Sequence, residues 1–142
     1  MNTVYKSNSN IVYSCKYHVV WCPKYRRKIL TNGIDTRLKE LLFEYAANIS
    51  VDIMEMEIMP DHVHILMEVE PQFGIHKAVK SLKGYTSKIL RDEYPSLKTR
   101  MPSLWTNSYF VQNRNHSERL TGSWNPNQFP GFCQRYCRYT GL

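Results

Sequence analysis

His62 and His64 flank a single valine in the run Pro60-Asp61-His62-Val63-His64-Ile65-Leu66-Met67. Imidazole nitrogens suit divalent transition metals, and they share a site with harder ions when a phosphate and waters complete the shell. Side chains of a β-strand alternate between faces. A strand here would send both rings out of one face while Val63, Ile65 and Met67 enter a core on the other. One ion could then be held by both rings. The competing reading is a pair of surface histidines on a half-buried strand, because two residues make a small motif. His18 is a third imidazole in an apolar run, and the three together would suit a metal-dependent hydrolase using a bound water. Whether His18 faces the pair depends on strand register.

The elements that must position these rings are legible in the hydrophobic periodicity. Tyr13, Cys15, Tyr17, Val19 and Trp21 alternate along Ile11 to Cys22, the signature of a first strand. A basic segment, Pro23-Lys24-Tyr25-Arg26-Arg27-Lys28, and the turn pair Asn32-Gly33 lead to a helix from about Asp35 to near Asn48. Its apolar face is Leu38, Leu41, Leu42, Tyr45 and Ala46. Val51 to Met59 and the histidine strand to Val69 form a hairpin about Pro60-Asp61. From Gly74, Ile75, Val79, Leu82, Ile89 and Leu90 recur at helical spacing with Lys77, Lys80, Lys83, Lys88 and Arg91 between them. This predicts a second helix, basic on its outer side. Tyr109-Phe110-Val111 reads as a short fourth strand. The order strand, helix, strand, strand, helix, strand predicts an α+β, ferredoxin-like (RRM-like) domain: an antiparallel sheet with helices on one face and the other face free. A free face carrying His62 and His64 is a platform for single-stranded nucleic acid.

Composition points the same way. The 142 residues suit one hydrophobic core, and 19 Lys plus Arg against 12 Asp plus Glu give a formal charge of +7. Such a balance favours a polyanionic partner, nucleic acid rather than membrane. No stretch approaches the roughly 20 apolar residues of a transmembrane helix, and Met1 to Tyr5 lacks the basic-then-apolar order of a signal peptide. A cytoplasmic protein is the expectation. Cys15, Cys22, Cys133 and Cys137 lack the usual spacing of a zinc knuckle and read as free thiols.

Four separated motifs carry a resemblance. They are Tyr17-His18-Val19-Val20-Trp21-Cys22-Pro23-Lys24-Tyr25-Arg26-Arg27, Met59-Pro60-Asp61-His62-Val63-His64-Ile65-Leu66, Lys80-Ser81-Leu82-Lys83-Gly84, and Ser103-Leu104-Trp105-Thr106-Asn107-Ser108-Tyr109-Phe110. In that order they resemble the HUH single-tyrosine transposases of the insertion-sequence 200/605 type. The resemblance implies the HUH endonuclease version of the fold over residues 1–111. It also implies a homodimer that cuts and rejoins single-stranded DNA at the hairpin-bearing ends of a mobile element. By the same implication His62 and His64 hold Mg²⁺ or Mn²⁺ at the scissile phosphate. A tyrosine attacks phosphorus, a phosphotyrosine forms, and the departing strand keeps a 3′-hydroxyl. Bond energy is retained, so no nucleotide cofactor is needed, in keeping with the lack of a Gly-x-x-x-x-Gly-Lys phosphate loop. Lys24, Arg26, Lys83 and Lys88 would contact backbone phosphates and Tyr25 would stack on a base; the alternative for each cation is a solvated charged surface.

The pattern breaks in residues 112–142, where the family carries its nucleophile on a helix. Leu120 and Leu142 are the only Leu, Ile or Val there, and Gly122, Pro126, Pro130, Gly131 and Gly141 disfavour a helix. This is an atypical tail. Its nearest spacing match puts Trp124, which has no hydroxyl, at the tyrosine position and Gln128 at the position that completes the metal shell. Tyr136, flanked by Gln134 and Arg138, is the favoured nucleophile, with Tyr139 as the other choice. The alternative is a catalytically inactive single-stranded DNA or hairpin binder derived from such a transposase.

Overall fold

Strands with alternating apolar side chains assemble by burying one face, and here four of them do so. In the computed structural model, which describes residues 5–7 and 12–113, β3 (Lys16–Trp21), β4 (Val51–Met59), β5 (His62–Val69) and β6 (Phe110–Asn113) form one antiparallel sheet. The spatial order is β4-β5-β3-β6, with β3 and β5 central. The helix α1 (Ile34–Asn48) connects β3 to β4, and α2 (Ile75–Glu93) with the short α3 (Pro95–Arg100) connects β5 to β6. This is the ferredoxin-like arrangement. Val19, Trp21, Val63, Ile65 and Met67 from the sheet meet Leu38, Leu41, Leu42, Val79, Leu82 and Leu90 from the helices in one core. Tyr45 and Tyr85 stack at 4.3 Å between α1 and α2.

Several local features differ from the periodicity reading. The first strand is interrupted at Ser14-Cys15, where the Cys15 carbonyl accepts a bond from the Val69 amide at 3.0 Å. Upstream of it, β1 (Lys6–Ser7) and β2 (Val12–Tyr13) pair separately as a two-stranded ribbon. In β4 the register shifts between Ile53 and Glu55, a bulge that leaves Met54 46% exposed and returns Met56 and Ile58 to the core side. Pro95 at the start of α3 restarts the helix after Tyr94, which suits its missing N–H. Gly33, at φ 94°, closes the turn that begins α1. Both helices pack on one face of the sheet, as expected, and β5 is buried along its whole length, with His62, His64, Leu66 and Glu68 on the face away from the helices 6%, 1%, 6% and 4% exposed.

Candidate active site

The histidine face is defined by register. Val20 of β3 lies opposite His64, and Glu57 and Met59 of β4 lie opposite His64 and His62. His18 lies opposite Leu66 and therefore shares the face of His62 and His64. Its Nδ1 is 2.9 Å from His64 Nε2, with the ring centroids 5.2 Å apart. The register question left open by sequence is thus answered, and His18 belongs to the site. On the other ring, His62 Nδ1 donates to Asp61 Oδ1 at 2.8 Å, and Asp61 Oδ2 accepts from Arg26 Nε at 3.1 Å. A carboxylate on Nδ1 fixes the tautomer of His62 and leaves its Nε2 as the basic nitrogen. Asp61 was missed as a site residue because it reads as a turn former; its position before the first histidine was the available signal.

Two imidazoles on one strand face fit a divalent ion that takes its remaining ligands from phosphate oxygens and water. They do not fit a closed four-ligand site, and among the described residues no group of three or more His, Cys, Asp or Glu could hold a metal. Cys15 and Cys22 are free thiols. Whichever ring donates in the His18–His64 bond, His64 Nε2 is engaged there, so a ligand bond through that nitrogen replaces the contact with His18.

The basic segment folds as a one-turn helix over Lys24–Arg26 in which Tyr25 and Arg26 both have positive φ, at 61° and 52°. The Lys24 ammonium and the Arg27 guanidinium lie over the Tyr25 ring, 5.7 and 5.9 Å from its centroid. Lys88 is exposed on α2. Lys83 is not on the outer side of that helix as expected. It is 9% exposed, and its ammonium donates to the carbonyls of Thr106 at 2.6 Å and Ser108 at 3.1 Å. Burial pushes its pKa down to about 8. Tyr109 packs against the core on the helix side, hydrogen-bonded to His76 at 2.8 Å, and burial raises its pKa. It lies across the sheet from the paired histidines. Trp124, Gln128, Tyr136 and Tyr139 lie outside the described residues, as does most of the 112–142 tail.

A ferredoxin-like sheet with paired histidines on a central strand is the HUH fold used by transposases, and comparison with known proteins agrees. The sequence profile of the family described as "Transposase IS200 like" matches residues 11–121. The ISDra2 transposase TnpA of Deinococcus radiodurans is 38% identical over 108 residues, spanning 75% of this chain and 77% of that protein. The transposase of insertion sequence element IS200 from Salmonella typhimurium is 32% identical over 108 residues, 75% of this chain and 71% of that one. A crystal structure described as a transposase of D. radiodurans R1 superposes with TM-score 0.72 at 31% identity, over 95% of this chain and 97% of the other. A REP-associated tyrosine transposase bound to a REP hairpin shares the fold, with TM-score 0.54 at 10% identity over 92% and 70% of the two chains. The chain belongs to the IS200-like transposase family.

Proposed function

We propose that this transposase cuts and rejoins single-stranded DNA at the hairpin-bearing ends of a mobile element through a phosphotyrosine. The observation that carries the reading is the same-face pairing of His62 and His64 on β5, with His62 held by Asp61. Family membership and the +7 charge support it. His62 and His64 would hold Mg²⁺ or Mn²⁺; when bound, such an ion supplies positive charge beside a non-bridging oxygen of the scissile phosphate. The Tyr136 hydroxyl attacks phosphorus, its new O–P bond replacing the bond to the 3′ oxygen. The proton lost by the tyrosine is balanced by the one gained by the departing 3′-hydroxyl. Rejoining is the reverse attack by a 3′-hydroxyl on the phosphotyrosine, which needs no nucleotide cofactor. Lys24, Arg26 and Lys88 contact phosphates and Tyr25 stacks on a base. Lys83 acts from inside, by holding the 106–108 segment that leads into β6.

The two ends of an element must be held together for joining, so the working form is a homodimer, which light scattering at micromolar concentration tests. The decisive experiment incubates the protein with Mg²⁺ and labelled hairpin-bearing DNA and resolves the products on a denaturing gel. A covalent protein–DNA band that disappears in Tyr136→Phe supports the reading. A band that persists in both Tyr136→Phe and Tyr139→Phe removes these nucleophiles, and hairpin binding with no band in wild type leaves the inactive binder.

A further inference from the structure

A cavity of about 820 Å³ opens between the segment from Tyr25 to Ile34 and α3. Four cations line it, Arg26, Arg27, Lys28 and Arg100, and no carboxylate is among its described lining residues. Leu97 and Met101, 3% and 2% exposed, give it an apolar floor together with Ile34, and Tyr25 forms part of the wall. The volume falls within the range of ligand sites, and an apolar base with a cationic rim matches a nucleobase joined to phosphates. Tyr25 and Arg26, both lining this cavity, hold consecutive left-handed conformations, rare for residues with side chains. Arg26 also donates to Asp61, whose other oxygen holds His62. The cavity and the histidine site therefore share a residue.

We infer that this cavity binds one unpaired nucleotide of single-stranded DNA, its base over Leu97 and Met101 and its phosphates on Arg27 and Arg100. The inference rests on the strand-cutting reading for the choice of DNA, and adds a specificity site that neither the histidines nor the tail provides. A duplex cannot enter, because its bases are stacked and paired.

The test is a salt titration with a fluorescent thymidine octamer and the full chain. Affinity for single strands falls with salt by a logarithmic slope of about 0.7 per phosphate contact, so one contact is worth about fivefold at 0.1 M. Arg100→Ala should weaken binding about fivefold and lower the slope by about 0.7. Lys98→Ala, exposed on the same helix and paired with Asp92 at 3.8 Å, should do neither. An octamer carrying 5-iododeoxyuridine should photo-cross-link to the peptide containing Tyr25. An unchanged slope in Arg100→Ala, cross-links confined to other peptides, or equal affinity for a duplex octamer overturns the inference. Those results leave the covalent-adduct reading untouched. Absence of an adduct with the cross-link intact overturns that reading and leaves the nucleotide site standing.

Discussion

Lys83 converts burial into a measurable pH dependence. The ammonium sits between α2 and the segment 106–108, donating to two carbonyls, and burial lowers its pKa from 10.5 to about 8. Below about pH 8 both folded and unfolded chains carry the proton, and the folded state bears the whole penalty. Between about pH 8 and 10.5 the unfolded chain binds more protons than the folded one, so stability rises with pH. A difference of about 2.5 units, at about 1.4 kcal/mol each, sets the penalty near 3 kcal/mol. Lys83→Met keeps an unbranched side chain and removes the titration. Urea unfolding of both proteins, followed by Trp21 and Trp105 fluorescence from pH 7 to 10, gives the comparison. Wild type should gain about 2 to 3 kcal/mol over the variant across that range. The series stops at pH 10 because burial raises the pKa of Tyr17 and Tyr109, whose ionisation in the unfolded chain then lowers stability. A difference that is flat or falls with pH would refute the reasoning, since it would show that the two carbonyls hold the proton as firmly as water does.

The remaining expectations concern the site and its support. Asp61→Ala should weaken Mn²⁺ binding by about 10- to 100-fold in calorimetry, because His62 loses the carboxylate that fixes its tautomer, and unchanged affinity would remove that role. His18→Phe frees His64 Nε2 from a bond worth about 0.5–1.5 kcal/mol, so metal binding should tighten by up to about tenfold; weaker binding would identify His18 as a ligand instead. His64→Ala should abolish metal-dependent cleavage while hairpin affinity persists, because affinity comes from phosphate contacts elsewhere, and parallel loss of both would count against the metal assignment. Thr86→Val leaves the buried Trp105 indole N–H, now bonded to Thr86 at 3.1 Å, without a partner. It should cost about 1–3 kcal/mol in urea unfolding, with Thr86→Ser close to wild type.

The order of elements was legible because each strand or helix announces its own period, and α1, β4 and β5 fall close to where that period places them. Met54 was legible in part: an apolar residue out of phase in an alternating run is what a bulge looks like in sequence. The site was legible only where it is local. His62 and His64 share a face by spacing alone, whereas His18 joins them through the pairing of β3 with β5, which no local pattern encodes. Lys83 was misplaced for a different reason. Its charge suggested the outer side of α2, yet Val79, Leu82, Thr86 and Leu90 are buried at three- and four-residue spacings around it, which sets position 83 on the inner stripe. The carbonyls of Thr106 and Ser108 that make this tolerable come from a loop more than twenty residues away.

The basic loop and the histidine strand meet at the turn between β4 and β5. Val63 and Ile65 are fully buried on the core side of β5, so the backbone that carries His62 and His64 is fixed by packing rather than by its ligands. The basic loop is tied to the same turn twice, by the Leu30 amide on the Pro60 carbonyl at 3.0 Å and by Arg26 on Asp61 at 3.1 Å. Arg26 is a quarter exposed and Asp61 a fifth, so this ion pair is wet enough to exchange partners. On the proposed function, a DNA phosphate at the loop would compete with Asp61 for Arg26. Asp61 Oδ1 holds His62 and Oδ2 holds Arg26, and without the Arg26 pair the Leu30–Pro60 bond still ties the loop to the turn. The loop and the His62 ring are thus held by different oxygens of one carboxylate, so a change of partner at Arg26 need not move His62.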